Sequence, residues 1–550
     1  MKVNIIKKWV LILLGMVLLG AGGYAVYCGW KAEQKTPVII SESAKQERPF
    51  VIAFENEVVS LDPIRLTDVF GLRIASQIFE GLAKVDASNR IVPALGESWQ
   101  ADRDFKNWTF KLRKEAHFHN GKPVTADDVV FSFTRMLAKE AVTKGPLIEI
   151  IVGAKEYAEG QATSISGITI IEPDHVKFQL TRSDSGFLGR IASPAYSIVS
   201  KEEVEQSKDQ FGNTLASGTG PFRLQSRNNY ELTLERFADY WGGKGGNLNL
   251  VKFRTIKEDQ VRLNELRGQR IQAMYVTPPL IKALIEATST NDQPHLKPEF
   301  SQFKGITYPV FNTYFLAFNY PKVNAHLRRA IALAVDREQI VQGVAPQLAV
   351  AAAGPIPLSC DGWQTQVQAN PPDIAAVRKE LSKIAPKKPS FKPTVEVLVH
   401  DLAQAEPIGE IIKAQLEPLG VQVNLVRQSF NTVIERLTKG DYQAVVIAFE
   451  YQFPTPSLIL ENFYTSRAIP MPNLFHYSNP AVDKSVGNLF SKPESAKTLR
   501  DAEAIEKRIV EDAPAAFLFQ MRQMVVLTSG VDGILFNGAN FPILWGASWK

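Results

Sequence analysis

Apolar positions along this chain follow two periods, two residues and about 3.6, punctuated by Gly, Pro and Asn. Phe50 to Phe54 is a short apolar run that predicts a buried strand, and Leu61-Asp62-Pro63 interrupts it. From Ala75, the spacing Ala75, Ile78, Phe79, Leu82 predicts one face of a helix that Gly81 ends. Trp108, Phe110 and Leu112 alternate with Thr109, Lys111 and Arg113, as in a half-buried strand, and Asn120-Gly121 reads as a turn. Thr125 followed by Asp128 is a capping-box pattern, opening a helix whose Val129, Phe133, Met136 and Leu137 share a face. Gly218, Gly220 and Pro221 punctuate the start of a strand, and Tyr240-Trp241-Gly242-Gly243 is an aromatic-anchored turn. Between them Tyr230, Leu232 and Leu234 alternate with Glu231, Thr233 and Glu235, which predicts sheet. Asn324 stands where it caps a helix with Leu327, Ile331 and Ala334 inward.

The last third is organised differently. After the Lys/Pro segment Pro386 to Pro393 come strand Val395 to Val399, helix Ile408 to Leu419, strand Val421 to Val426, helix Val433 to Lys439 and strand Ala444 to Phe449. Strand-helix-strand-helix-strand is the signature of a parallel, doubly wound lobe. Ala444 to Phe449 is apolar without a break, as a strand covered on both faces in mid-sheet is. Glu450, Tyr451, Gln452 and Phe453 follow, and Pro454 and Pro456 forbid further ladder pairing. Ligands of open α/β sheets bind beyond the carboxyl ends of such strands, so Phe449 to Phe453 is the candidate floor of a binding site.

At 550 residues the chain is too long for one core, and two or three lobes are expected. Net charge is +5, but residues 1–48 carry seven Lys/Arg against three Asp/Glu and the rest is nearly balanced, at 55 against 54. The basic balance is therefore no sign of nucleic-acid binding. Lys2, Lys7 and Lys8 precede an uncharged run from Trp9 to Trp30, roughly 33 Å long as a helix and sufficient to span a bilayer. Positive residues ahead of it keep the amino end cytoplasmic and send the body outside. Length favours an anchor in residues 1–30; a cleaved signal or a lipoprotein is the alternative, and each exports the body. Residues 31–48 read as a polar tether. Cys28 and Cys360 draw no internal disulfide framework.

No phosphate-cradling loop, H-E-x-x-H or G-x-S-x-G motif occurs. His117 and His119, two apart, form the best metal pair, yet they sit in a turn; no metal, no cofactor and no catalytic residue is assigned. The expected protein is a binder and not an enzyme.

The order LDP, IFEGL, VPALGESW, NWTFKLRKEAHFHNGKPVTADDVVFSFTRML, GTGPFRL from Gly218, ERFADYWGG from Glu235, AFNYPKVNAHLRRAIALAVDREQIV from Ala317 and HYSNPAVD from His476 resembles one family. It is the family of large substrate-binding proteins of bacterial ABC importers that holds the oligopeptide- and dipeptide-binding proteins, extracellular solute-binding family 5. The resemblance runs from about Phe50 to the carboxyl end. It implies an α/β, periplasmic-binding-protein-like fold of three lobes with mixed sheets. Lobe one would comprise residues 49–95, 212–308 and 519–550, lobe two 96–211 and lobe three 309–518, with ligand in a cleft between lobes one and three. It further implies a monomer on the periplasmic face of the cytoplasmic membrane that delivers a peptide or small solute to a permease; a tethered ligand-binding sensor or scaffold is the alternative.

In peptide-binding members the loop after the last strand typically reads G-W-x-A-D-Y, and its Asp holds the peptide ammonium. Here Ala448 stands for the Gly, Phe449 for the Trp, Gln452 for the Asp and Phe453 for the Tyr. A neutral amide gives an ammonium a weaker hydrogen bond than a carboxylate does. Glu450, two residues earlier, is expected on the same face in an extended loop, where it either supplies the missing carboxylate or pairs with a Lys or Arg.

Overall fold

A mixed twelve-stranded sheet runs through the chain. In the computed structural model the described residues are 48–550 except 67, 143–144, 146, 208–209, 287–293, 385–391 and 402–403. The apolar run Trp9 to Trp30 thus lies outside the described residues, as does most of the polar tether and of the Lys/Pro segment. Among the described residues no helix is long and apolar enough to cross a membrane.

One arm of the sheet is the doubly wound unit expected of the last third. Thr394–His400 pairs in parallel with Gln422–Gln428 and with Ala444–Glu450, and helices Ala405–Leu416 and Phe430–Thr438 make the connections. On its other side Ala444–Glu450 pairs antiparallel with Asn312–Phe318, so the predicted mid-sheet strand has one parallel and one antiparallel neighbour. Its apolar run is explained by burial on both faces. Val445, Ile447 and Phe449 enter one core cluster while Ala444 and Val446 enter another.

The other arm holds Ala273–Tyr275, Phe50–Phe54, Leu250–Thr255, Glu231–Arg236 and Phe222–Arg227, neighbours in that order. Phe50–Phe54 also serves two clusters, with Phe50, Ile52 and Phe54 on one side and Val51 and Ala53 on the other. A single long strand, Ala515–Thr528, joins the arms. Residues Ala515 to Phe519 pair with Asn312–Phe318, while the residues from Arg522 onward pair with Phe303–Pro309 and Ala273–Tyr275. The expected lobe limit at Leu518/Phe519 falls inside this unbroken strand.

A separate four-stranded antiparallel sheet, Gly96–Ala101, Asn107–Leu112, His175–Gln179 and Ile168–Glu172, carries a third cluster around Trp108, Phe110, Phe133 and Phe178. Helix Ala126–Met136 covers it and opens on the predicted capping box, with Thr125 N donating to Asp128 Oδ2 at 3.0 Å and Asp128 N to Thr125 Oγ1 at 3.4 Å. Asn324 caps Ala325–Ala334 as expected, accepting from His326 N at 2.9 Å.

The helix expected from Ala75 is in fact Val69–Ile78, capped by Asp68, with Phe79 as its end and Gly81 and Leu82 beyond it. Its first turns escaped the periodicity because Gly71 and Arg73 interrupt the apolar face, although both are buried. Near that helix end three of the sequence motifs converge on one carboxylate. Tyr240 Oη and Trp241 Nε1 donate to Glu80 at 2.8 and 2.6 Å, Thr219 Oγ1 at 3.4 Å, and Lys84 lies 3.2 Å away. The glycines of the Gly218-Thr219-Gly220 turn fit the same place: a Cβ on Gly218 would stand 2.1 Å from the Ile78 carbonyl and one on Gly220 2.6 Å from that of Gln77.

The four-stranded unit is tied to the doubly wound unit by a buried charge network. Arg182 and Arg190 both reach Glu461 in helix Pro456–Tyr464, Arg467 joins them, and Asp184 accepts from Arg190 Nε at 2.7 Å.

Candidate functional site

The stretch Phe449 to Phe453 leaves the sheet at the register pair Asn312 and Glu450, and Tyr451 N donates to Phe311 O at 2.6 Å. Four residues after Tyr451, Thr455 is the N-cap of Pro456–Tyr464, with Pro456 in its first turn. Pro456 therefore starts a helix, where its missing N–H costs nothing, as well as ending the ladder.

The five side chains divide between core and crevice. Phe449 is 9% exposed and packs on Phe315, Phe463 and Phe475. Tyr451 is 1% exposed, its ring sits edge-on to Phe463 at 4.8 Å, and its Oη donates to Pro355 O at 3.2 Å. Both aromatic rings back the loop from within the core. Phe453 is half-buried against the same core, Gln452 is half-buried and lines a cavity, and Glu450 reaches solvent.

Glu450 does not stand alone. Burial is the main influence on its carboxyl and pushes it above the usual range; Arg73 draws it down and Glu55 pushes it up. Glu55 directly follows strand Phe50–Phe54, and Arg73 lies on helix Val69–Ile78. Glu450 and Glu55 thus stand at the carboxyl ends of strands from the two arms of the sheet, where open α/β sheets bind ligands. Arg73 is 3% exposed; its guanidinium lies 3.9 Å over the Tyr275 ring and its Nε donates to Asn540 O at 3.0 Å. Tyr308 and Tyr314 also feel the Glu450 charge, which, after burial, helps to raise their phenols.

A segment that the sequence reading passed over, Gly354 to Thr365, packs against this floor. Thr313 Oγ1 and Tyr451 Oη both donate to Pro355 O, and Gln520 accepts from Leu358 N at 2.8 Å while donating to Ile356 O at 3.0 Å. Asn89, from the turn of the separate hairpin Ala83–Val85/Ile91–Pro93, donates to Ser359 O at 2.9 Å and accepts from Gly538 N at 2.5 Å. The only sequence signal for this segment is its punctuation by Gly354, Pro355, Pro357 and Gly362.

The histidine pair is structural in its surroundings. His119 Nε2 lies 3.0 Å from Gly220 O and its Nδ1 accepts from Gly218 N at 3.2 Å; burial pushes its imidazole down to about 4. His117 instead contacts the carbonyl of Glu115 at 2.9 Å.

Comparison with known proteins adds to this geometry. The family model described as bacterial extracellular solute-binding proteins, family 5 Middle, matches residues 90–470. The chain is 27% identical over 454 residues to the probable D,D-dipeptide-binding periplasmic protein DdpA of Escherichia coli, covering 80% of this chain and 82% of that protein. It is 24% identical over 531 residues to the periplasmic murein peptide-binding protein MppA of the same organism, covering 93% and 94%. Among solved structures, HbpA2 of Haemophilus parasuis aligns with a TM-score of 0.77 at 19% identity, over 92% of this chain and all of that one. The periplasmic binding protein DppA of Helicobacter pylori, in complex with the peptide STSA, aligns at 0.74 and 20% identity, over 92% and 98%.

Proposed function

From the premise that the chain belongs to the bacterial extracellular solute-binding proteins of family 5, we propose that it is the substrate-binding component of an ABC importer, taking a peptide or related small solute without turning it over. The body works on the periplasmic face, held to the cytoplasmic membrane by Trp9 to Trp30. Residues 49–95, 212–308 and 519–550 form one lobe, 96–211 a second and 309–518 a third. Ligand enters between the first and third, which close on it by hinge motion before delivery to the permease. Relatives named as peptide-binding periplasmic proteins support this reading.

The observation that carries it is that Glu450 and Glu55 stand at the carboxyl ends of strands from the two arms and, with Arg73, act on one another electrostatically. An ammonium entering there meets Glu450, which supplies the carboxylate that Gln452 lacks. Glu450→Gln should weaken an amine-bearing ligand by ~1.5 to 3 kcal/mol, roughly ten- to a hundredfold, with thermal unfolding nearly unchanged. Mass spectrometry of what co-purifies with the exported body identifies the ligand, and calorimetric titration of both proteins measures the loss. Unchanged affinity refutes the role of Glu450. A chemically altered ligand after incubation refutes the assignment as a binder.

A further inference from the structure

The loop Glu450 to Phe453 runs into a helix that a different part of the molecule holds in place. Only the buried Pro454, with its fixed φ, separates Phe453 from Thr455, the N-cap of Pro456–Tyr464. With so little slack, any shift of the helix passes to the loop. Glu461 lies six residues beyond that cap, about 9 Å along the helix axis. It is gripped from the four-stranded unit: Arg182 Nη2 donates to its Oε1 at 2.6 Å and Arg190 to its Oε2. Asp184 fixes Arg190 in turn, and the side chains of Arg190, Asp184 and Glu461 are each at most 2% exposed.

The other end of the same helix is seated sterically. Phe187 and Ile191 of helix Phe187–Ile191 belong to the core of the four-stranded unit, and the glycines beside them face the doubly wound unit. A Cβ on Gly189 would stand 2.7 Å from Leu458 Cδ1 and 4.0 Å from Thr455 Oγ1, and one on Gly186 2.9 Å from the Phe490 ring and 3.2 Å from Leu458 Cδ2. Ser185 N donates to Phe490 O at 3.0 Å alongside. A clamp at Glu461 and a seat at Leu458 hold the helix at two points, which sets its tilt as well as its place. Buried ion pairs add little net stability over an apolar contact of the same size, and their best-attested use is to fix register. We infer that Arg182, Arg190 and Gly189 are positioning residues for ligand binding, holding Pro456–Tyr464 at the tilt that presents Glu450 and Gln452 to the ligand. They act through the helix and give the four-stranded unit a part in affinity. The inference rests on the reading of the protein as a peptide binder.

Tripeptides captured from a random pool by the full-length protein, and identified by mass spectrometry, are the probes. They are titrated calorimetrically well below the unfolding temperature, where circular dichroism checks that each variant is folded. Gly189→Ala should weaken binding at least tenfold. It should also quicken hydrogen exchange of the amides of residues 449–453, while Asn107–Leu112 and His175–Gln179 exchange as in the parent. Adding Leu458→Ala, which vacates the room, should return the affinity to within threefold of the parent. Arg182→Gln leaves Arg190 and Arg467 on Glu461 and should weaken binding severalfold, with Arg182→Lys restoring it; this pair carries the test alone if Gly189→Ala does not fold. Folded variants that bind and exchange like the parent overturn the positioning role and leave peptide binding intact. Losses that neither Leu458→Ala nor Arg182→Lys rescues overturn it as well. A parent that captures no tripeptide overturns the peptide reading, and the inference with it.

Discussion

Replacing Glu506 by Gln should stabilise the protein at neutral pH and leave it unchanged in acid. Glu506 lies in helix Ala496–Asp512, is 0% exposed, and faces the cleft-side segment: Thr365 Oγ1 donates to it at 2.5 Å, and a Cβ on Gly354 would stand 2.3 Å from its Oε1. Burial pushes its carboxyl from 4.5 up to about 7, against the pull of the Thr365 hydroxyl and the Ile356 backbone, with Glu503 adding a further push upward. The folded state therefore binds the proton more tightly than the unfolded chain does. Between pH 4.5 and 7 it holds more protons, so stability falls as pH rises through that window and levels off above it. A displacement of about 2.5 pH units corresponds to ~3 kcal/mol. At an unfolding entropy of ~2.1 cal/mol/K per residue, a body of about 500 residues shifts by ~1 °C for each kcal/mol. Calorimetric unfolding of both proteins at pH 4.5, 6 and 8 should show the variant gaining about 3 °C over the parent across that range. Glutamine preserves the shape and the Thr365 contact, so a difference in Tm that stays constant with pH would refute the reasoning.

Two further outcomes concern stability. Glu461→Gln removes the anion shared by Arg182, Arg190 and Arg467; since an orphaned buried charge is costly, chemical denaturation should report a loss of ~3 to 5 kcal/mol, and a loss under 1 kcal/mol would mean that water already reaches the network. Thr125→Ala breaks the capping box of Ala126–Met136 and should cost about 1 kcal/mol by the same measurement, with ligand affinity unaffected.

What could be read in the sequence depended on how many faces of an element are buried. Ala444 to Phe449 announced itself because alternate side chains feed two different cores, and the parallel pairing of its neighbours followed from the helix-length spacers between them. Helix Val69–Ile78 was cut short because Arg73, a buried cation on an aromatic face, breaks the apolar period. The site was half legible. The abrupt end of an apolar run pointed to Phe449 through Phe453, but Glu55 and Arg73 are distant in the chain and belong locally to an ordinary strand end and an ordinary helix. Only the folded chain brings their charges to bear on Glu450. The choice between core and crevice for Phe449 and Tyr451 was equally hidden, since an aromatic residue beside a polar one fits either. Glu506 reads as a surface acid in a charged helix until Gly354 and Thr365 are packed against it.

The strand Ala515–Thr528 also bears on the order in which the molecule can assemble. It follows every other strand of the sheet in the chain, yet it supplies the seam between the two arms, pairing with Asn312–Phe318 on one side and with Ala273–Tyr275 and Phe303–Pro309 on the other. Contacts so distant in sequence close slowly, because a long loop must first lose its freedom. Until residue 515 has emerged, neither arm has its inner neighbour, and strand edges that are covered in the finished sheet stay open to pairing with other chains. A chain still being made thus remains uncommitted to its final sheet until this strand has emerged.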